Sequence, residues 1–480
     1  MLFNSLHYLV FFPVVVAIYF SIPHRYRWIL LLSASYYFYM CWKAEYLFLI
    51  LISTAIDYFC GLQMGKRVKR ESRRKFLILS LFTNLGLLFS FKYFNFFNDS
   101  MRDLFNQFNI FYNIPAFDVL LPVGISFYTF QTLSYTIDVY RGVKKPERHP
   151  GIFAVYVAFF PQLVAGPIER SVRLMPQFYE QKSFDYQRVT DGLKIMVWGF
   201  IKKLVIADHL AMYVNQIYNN PGNYTGMPLL LATYFFAFQI YCDFSGYSDI
   251  AIGSAKVMGY DLMQNFRRPY FSRSISEFWK RWHISLSSWF RDYLYIPLGG
   301  NRVAKWRWYY NLLVVFIVSG FWHGANWTFL FWGALHGSYL VLSIITAKIR
   351  YRIVSFLGLV NTPILHKVIK VVITFHLALF AWVFFRANSI SDAFLILGSM
   401  FRGGANWFKP GPKIDGFDIN LAIISILVME AIQLYQERAS VLEFINSKPV
   451  LIRWAIYYVA VMVILLFGTF EEVEFIYFQF

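Results

Sequence analysis

Charged side chains are scarce in this chain, 15% of its 480 residues, where a soluble domain carries roughly a quarter. With 58% of residues hydrophobic along the whole length, lipid has to cover most of the outer surface, which excludes a water-soluble globular fold. Acidic residues are the rarer sign, 27 against 45 Lys and Arg, for a formal charge of +18. In a soluble protein that excess would raise the question of nucleic acid. Here the cations lie in short loops between apolar runs, as the positive-inside rule requires, and no nucleic-acid partner is inferred. Only three cysteines occur, Cys41, Cys60 and Cys242, all inside apolar segments and without metal-ligand spacing. Neither a disulfide framework nor a zinc site is implied. Internal repeats, low-complexity tracts and linkers are absent too, so residues 1–480 read as one domain. The first apolar stretch has no basic n-region or small-residue cleavage site and reads as a retained helix.

What the chain does have is aromatic side chains, 21% of residues with 53 Phe and 34 Tyr. Some suit interfacial belts, and the rest suit an interior that bulky rings line or plug. Apolar segments long enough to span run over 6–22, 28–42, 46–62, 76–97 and 119–140, then 192–214 and 228–246, and finally 308–322, 327–346, 368–385, 419–434 and 451–467. The stretch 152–164 is too short to cross and reads as re-entrant or interfacial. The expected fold is an all-α polytopic bundle of about 11 to 12 crossings with re-entrant and amphipathic helices. Basic loops around Arg25, Lys66 to Lys75 and Arg141 to Arg148 are read as cytoplasmic, with the N-terminus outside. From 258 to 307 basic residues alternate with rings, and amphipathic helices at the cytoplasmic face are expected there.

Three motifs could carry chemistry. In Ser319-Gly320-Phe321-Trp322-His323-Gly324-Ala325-Asn326-Trp327, an imidazole sits between indoles at the junction of two crossings. Neutral imidazole accepts a proton near physiological pH, and the small neighbours leave room for a substrate. A helix-end histidine bonded to a carbonyl fits the spacing equally well. In the second motif, residues 278–300, Trp279, Trp282, His283 and Leu286 share one helical face, with Lys280, Arg281, Ser287 and Arg291 on others. Two readings stand: an interfacial helix snorkelling its cations to lipid phosphates, or a mouth for an anionic acyl carrier. Third, Asp243 and Asp249 are carboxylates in or beside a membrane segment, where pairing with a cation would justify them. His336 and the remaining histidines read as core or interface.

The segments around His283 and His323 resemble the membrane-bound O-acyltransferase family, whose invariant histidine matches Trp322-His323-Gly324. The stretches 121–131, Pro161-Gln162-Leu163-Val164-Ala165-Gly166-Pro167-Ile168 and Phe475-Ile476-Tyr477-Phe478-Gln479-Phe480 narrow the resemblance to the branch that acetylates alginate, other exopolysaccharides and peptidoglycan. The D-alanyl-transferring branch shares both histidine motifs. The resemblance implies a helical bundle pierced by a tunnel in a bacterial inner membrane, with His323 as catalytic base and His283 as the second family histidine. Candidates for the tunnel and the donor are Trp279, Arg281, Trp282, Arg291, Asp292, Tyr295, Trp322 and Asn326. No bound cofactor or metal is implied. The donor would be a cytoplasmic thioester, acetyl-CoA or an acylated carrier protein, and the partners membrane lipid and a separate extracytoplasmic acyltransferase. With the 258–307 region placed at the cytoplasmic face, His283 and His323 would stand at opposite ends of the conduit. The C-terminal rings after Glu471, Glu472 and Glu474 read as a docking element or an interfacial belt. A multi-pass transporter is the rival reading, against which stands the lack of an inverted repeat.

Overall fold

The computed structural model describes all residues except 118–120, 165, 403, 405–406, 408–410, 412–415, 471–474 and 479–480, and the side chains of 416–418 and 478. Glu471, Glu472 and Glu474 therefore lie outside the described residues, as do the start of the segment expected over 119–140 and the last two residues of the C-terminal motif, Gln479 and Phe480. Every regular element among the described residues is a helix. That outcome follows from the solvent, since a lipid-facing backbone must bond to itself.

Seven of these helices are long and apolar enough to cross a membrane: Ala44–Gly65, Arg70–Gln107, Met227–Met258, Trp327–Ile345, Pro363–Arg386, Ile419–Gln436 and Val450–Phe467. The other expected crossings are helical as well, but shorter, less apolar or interrupted. One is split at residue 200 by a widened turn, Ile201–Ala207. The stretch 152–164 forms the nine-residue helix Pro150–Ala158 and the single turn Phe160–Leu163, buried throughout. Nine residues rise about 14 Å, half a bilayer core.

The chain divides into two compact units, residues 1–196 with 248–263, and 197–247 with 264–480. In the first, Leu47–Gly65, Arg70–Leu88 and Ile125–Arg141 pack around Asp57. Its carboxylate accepts from Ser80 Oγ (2.6 Å) and from Asn84 Nδ2 (2.8 and 3.0 Å), and Asn84 Oδ1 in turn accepts from Ser53 (2.7 Å) and Thr132 (3.2 Å). A buried carboxylate without such donors would be costly, so these hydroxyls and this amide are what the site requires.

In the second unit a tight hairpin joins Lys305–His323 to Trp327–Ile345. The backbones touch because the crossing residues lack side chains. A Cβ on Gly320 would lie 2.2 Å from Phe329 O, and one on Gly333 2.3 Å from Phe316 O. Close approach of this kind is how helices gain packing energy in lipid. Gly320→Leu is therefore expected to force the helices apart, at a cost of about 1–3 kcal/mol or more for overpacking. Thermal unfolding in detergent checks it; a wild-type midpoint would contradict the packing described.

Candidate active site

His323 is the last residue of its helix, and Gly324 leaves the helix in extended conformation. A Cβ at Gly324 would fall 2.2 Å from the Phe329 ring, so the turn has room for no larger residue. The imidazole is 2% exposed. Its ring neighbours are Trp322 (centroids 5.0 Å), Trp332 (5.1 Å), Phe385 (5.4 Å) and Tyr477 (5.5 Å).

The position of His283 corrects two expectations. The 278–300 motif is not one amphipathic surface helix: Ile275–Arg281 ends, Ile284–Phe290 begins, and between them His283 takes a left-handed conformation, φ 43°. Histidine is among the non-glycine residues that adopt this region more readily than most. The elbow is held from upstream, where Arg267 N–H donates to Arg281 O (2.8 Å) and Ile284 N–H to Asn265 O (2.9 Å). Trp282, His283, Leu286 and Phe290 are consequently buried in the second unit, with His283 fully enclosed. The two histidines do not stand at opposite ends of a conduit. Their ring centroids are 6.4 Å apart, and Trp322 and Tyr477 border both.

Asn265 also fixes which nitrogen of His283 is basic. Asn265 Oδ1 accepts from Ser285 N–H (3.2 Å) and Ser285 Oγ (2.9 Å), so the atom facing His283 Nδ1 at 3.1 Å is an acceptor. Nδ1 must then carry the proton, leaving Nε2 as the proton-accepting nitrogen. Burial disfavours the imidazolium and lowers the pKa to about 3, so the ring is neutral at physiological pH. His336, read from sequence as core, is fully buried and receives Trp279 Nε1–H at Nδ1 (3.2 Å). When neutral it therefore has the opposite tautomer.

The other candidates separate into groups. Trp322 lies against both histidines. Trp279 and Trp282 form the next layer, Trp279 on Trp332 (5.6 Å) and Trp282 on Trp382 (4.9 Å). Arg281 is half-buried and held by Glu277 (2.6 Å), while Arg291 is exposed and pairs with Asp292 (2.8 Å). Tyr295 ends the same widened turn, Arg291–Tyr295, half-exposed. Asn326 is a helix cap: its Oδ1 accepts from Thr328 N–H (3.0 Å). Asp243 is paired, with Lys203 at 2.8 Å.

Asn265, Trp332, Phe385 and Tyr477 were not among the sequence candidates for this site. The C-terminal rings, which in the sequence read as a docking element or a belt, are placed inside: Phe475 and Ile476 are buried and Tyr477 borders both histidines. No local pattern gives that return; the one sequence signal was the density of aromatic residues near the end. Among the described residues no three His, Cys, Asp or Glu side chains converge as metal ligands. The arrangement offers two adjacent imidazoles, at least one neutral with a defined basic nitrogen, inside an aromatic wall. That suits proton transfer from a hydroxyl under exclusion of water.

Comparison with known proteins agrees with this chemistry. Residues 148–389, which contain both histidines, match the model of the membrane-bound O-acyltransferase family. The chain is 40% identical to the probable alginate O-acetylase AlgI of Pseudomonas aeruginosa, over 89% of this chain and 81% of that one. It is 35% identical to the peptidoglycan O-acetyltransferase of Helicobacter pylori, over 77% and 73%. With the teichoic acid D-alanyltransferase of Streptococcus thermophilus it shares 32% identity over 46% and 56%.

Proposed function

The chain belongs to the membrane-bound O-acyltransferase family, and from that premise we propose that it takes an acetyl group from a cytoplasmic thioester and passes it across a bacterial inner membrane for O-acetylation of an extracytoplasmic polysaccharide. It is a multi-pass membrane enzyme, an O-acyltransferase. Alginate is the first acceptor to test, because the relatives at about 40% identity bear that name. The donor is acetyl-CoA or an acylated carrier protein. An exported acyltransferase completes the reaction on the polymer.

The observation that carries the reading is the pair of buried imidazoles 6.4 Å apart. His323 takes the proton of the acceptor hydroxyl as its oxygen attacks the thioester carbonyl. The C–S bond breaks, and the departing sulfur receives that proton, so that a hydroxyl and a thioester become an ester and a thiol. His283, held by Asn265, orients the donor beside it. Removing the ring of one would therefore impair a step that both serve.

The test uses the purified protein in sealed vesicles with acetyl-labelled acetyl-CoA outside and, within, alginate oligosaccharide together with the exported acyltransferase that completes the transfer. Thiol release outside coupled to alkali-labile label inside is the expected result. Turnover with a D-alanyl-loaded carrier and none with acetyl-CoA would favour the second reading, transfer of D-alanine to a cell-wall polymer, to which the resemblance to a D-alanyltransferase lends weight. Solute uptake without thioester cleavage would favour a transporter.

A further inference from the structure

The proposed mechanism makes no use of a buried ion cluster in the second unit. Lys203 lies 2.8 Å from Asp208 and 2.8 Å from Asp243, with all three side chains almost wholly inaccessible. Next to it in sequence, Lys202 is buried as well and donates to Ser245 Oγ (3.0 Å). Both lysines stand on the widened helical turn Ile201–Ala207. Such turns are costly and tend to be kept where a site needs them. Burying this many charges is likewise poor economy for stability alone, since apolar residues of similar volume do as well or better.

The cluster also touches the segment around Ile476. Asp243 uses one carboxylate oxygen for Lys203 and offers the other to the backbone N–H of Ile476, at 2.8 Å. The same widened turn holds the start of the tail, because Thr469 N–H donates to Leu204 O (3.1 Å). Thr469 Oγ1 also meets His209 Nδ1 at 3.1 Å. One residue beyond the Asp243 contact comes Tyr477, whose ring centroid is 5.5 Å from that of His323 and 6.2 Å from that of His283.

We infer that the Lys203–Asp243 pair is a clamp that seats the C-terminal tail against the two histidines, making Asp243 and Lys203 positioning residues for acyl transfer. The cation fixes the carboxylate, the carboxylate fixes the amide of Ile476, and that amide sets where the next side chain lies. A hydrogen bond to an ionised acceptor is about twice as strong as a neutral one, and here it is made in an interior that screens little. This inference rests on the proposed acyl transfer only for its kinetic consequence. Seating of the tail is measurable by itself.

The experiment uses the full-length protein in lipid nanodiscs and two readouts. Limited chymotryptic trimming at the aromatic residues of 475–480 reports the tail, and thiol release from acetyl-CoA reports turnover. Asp243→Ala is expected to speed trimming about tenfold and to lower kcat by a similar factor with KM for acetyl-CoA little changed. Asp243→Asn, which keeps an oxygen for the Ile476 amide, should restore part of both. Ile476→Pro removes the N–H while sparing the ion pair, and proline is tolerated at the first position of a helical turn. It should behave like Asp243→Ala. Asp208 pairs with Lys203 and, among the described residues, makes no hydrogen bond to the tail, so Asp208→Asn should leave trimming within about twofold of wild type. Unchanged trimming in Asp243→Ala and Ile476→Pro would overturn the clamp. So would faster trimming with unaltered kcat, or a loss confined to KM. A wild-type protein with a protected tail and no thiol release would count against the proposed function and leave the clamp standing.

Discussion

His323→Ala is expected to abolish acetyl transfer, with turnover falling by about two to four orders of magnitude, the usual worth of a general base. The residue ends its helix, and the hairpin geometry there is set by Gly320, Gly324 and Gly333, none of which the substitution touches. The ring does fill space between Trp322, Trp332, Phe385 and Tyr477, so alanine leaves a void that costs stability. His323→Gln keeps most of the volume and removes the base. Both variants should lose turnover, and the glutamine protein should keep its thermal midpoint. Labelled acetyl-CoA turnover in membranes, scored beside unfolding in detergent, separates the two effects. Full turnover in His323→Gln would remove His323 from the mechanism. The double variant with His283→Gln adds a sharper reading. Because the two rings serve one transfer step, His323 taking the proton and His283 orienting the donor, its loss is expected to be much smaller than the product of the single losses.

The second large effect concerns a residue that carries no chemistry of its own. Asn265→Leu removes the one oxygen to which His283 Nδ1–H, Ser285 N–H and Ser285 Oγ all donate. Each buried donor left without an acceptor costs about 1–3 kcal/mol, enough in sum to threaten the elbow that places His283. The protein should unfold at distinctly lower temperature and lose transfer together with it. Asn265→Asp supplies an acceptor again and should recover the fold in part. Its negative charge would also raise the pKa of His283 from about 3. In the wild type the depressed value means that the unfolded chain binds a proton the folded one refuses between roughly pH 6.5 and 3. Stability therefore falls as pH drops through that window, and Asn265→Asp should flatten the slope. Wild-type stability in Asn265→Leu would show that the elbow stands without its acceptor.

The contrast between the two histidines shows how much of the site could be read without coordinates. His323 announces itself: an imidazole between indoles and glycines, at a junction of apolar runs, is local information. Trp322 beside it is equally local, whereas Asn326, a tunnel and donor candidate in the sequence, is a helix cap in the fold. His283 is visible as a residue but not as a neighbour of His323. Trp279, Trp282, His283 and Leu286 have helical spacing, and a single left-handed residue that breaks the helix leaves the spacing unchanged. Because spacing does not show the break, the sequence places this segment at the surface and the histidines at opposite ends. Asn265 gave no signal, and the aromatic motif around Tyr477 did not reveal its place beside the histidines, since each matters through a partner distant in sequence.

Composition alone determined that this chain lives in lipid and that it is helical, and placed most of its cations in short loops, though not the buried Lys202 and Lys203. These are consequences of transfer free energies and backbone hydrogen bonding, which act residue by residue. Tertiary structure decided which helices break, that His283 turns inward beside His323, that Asp243 pairs with Lys203, and that the C-terminal tail returns to the pair. Those outcomes depend on packing and on satisfying buried polar groups across the fold, and local spacing holds no record of either.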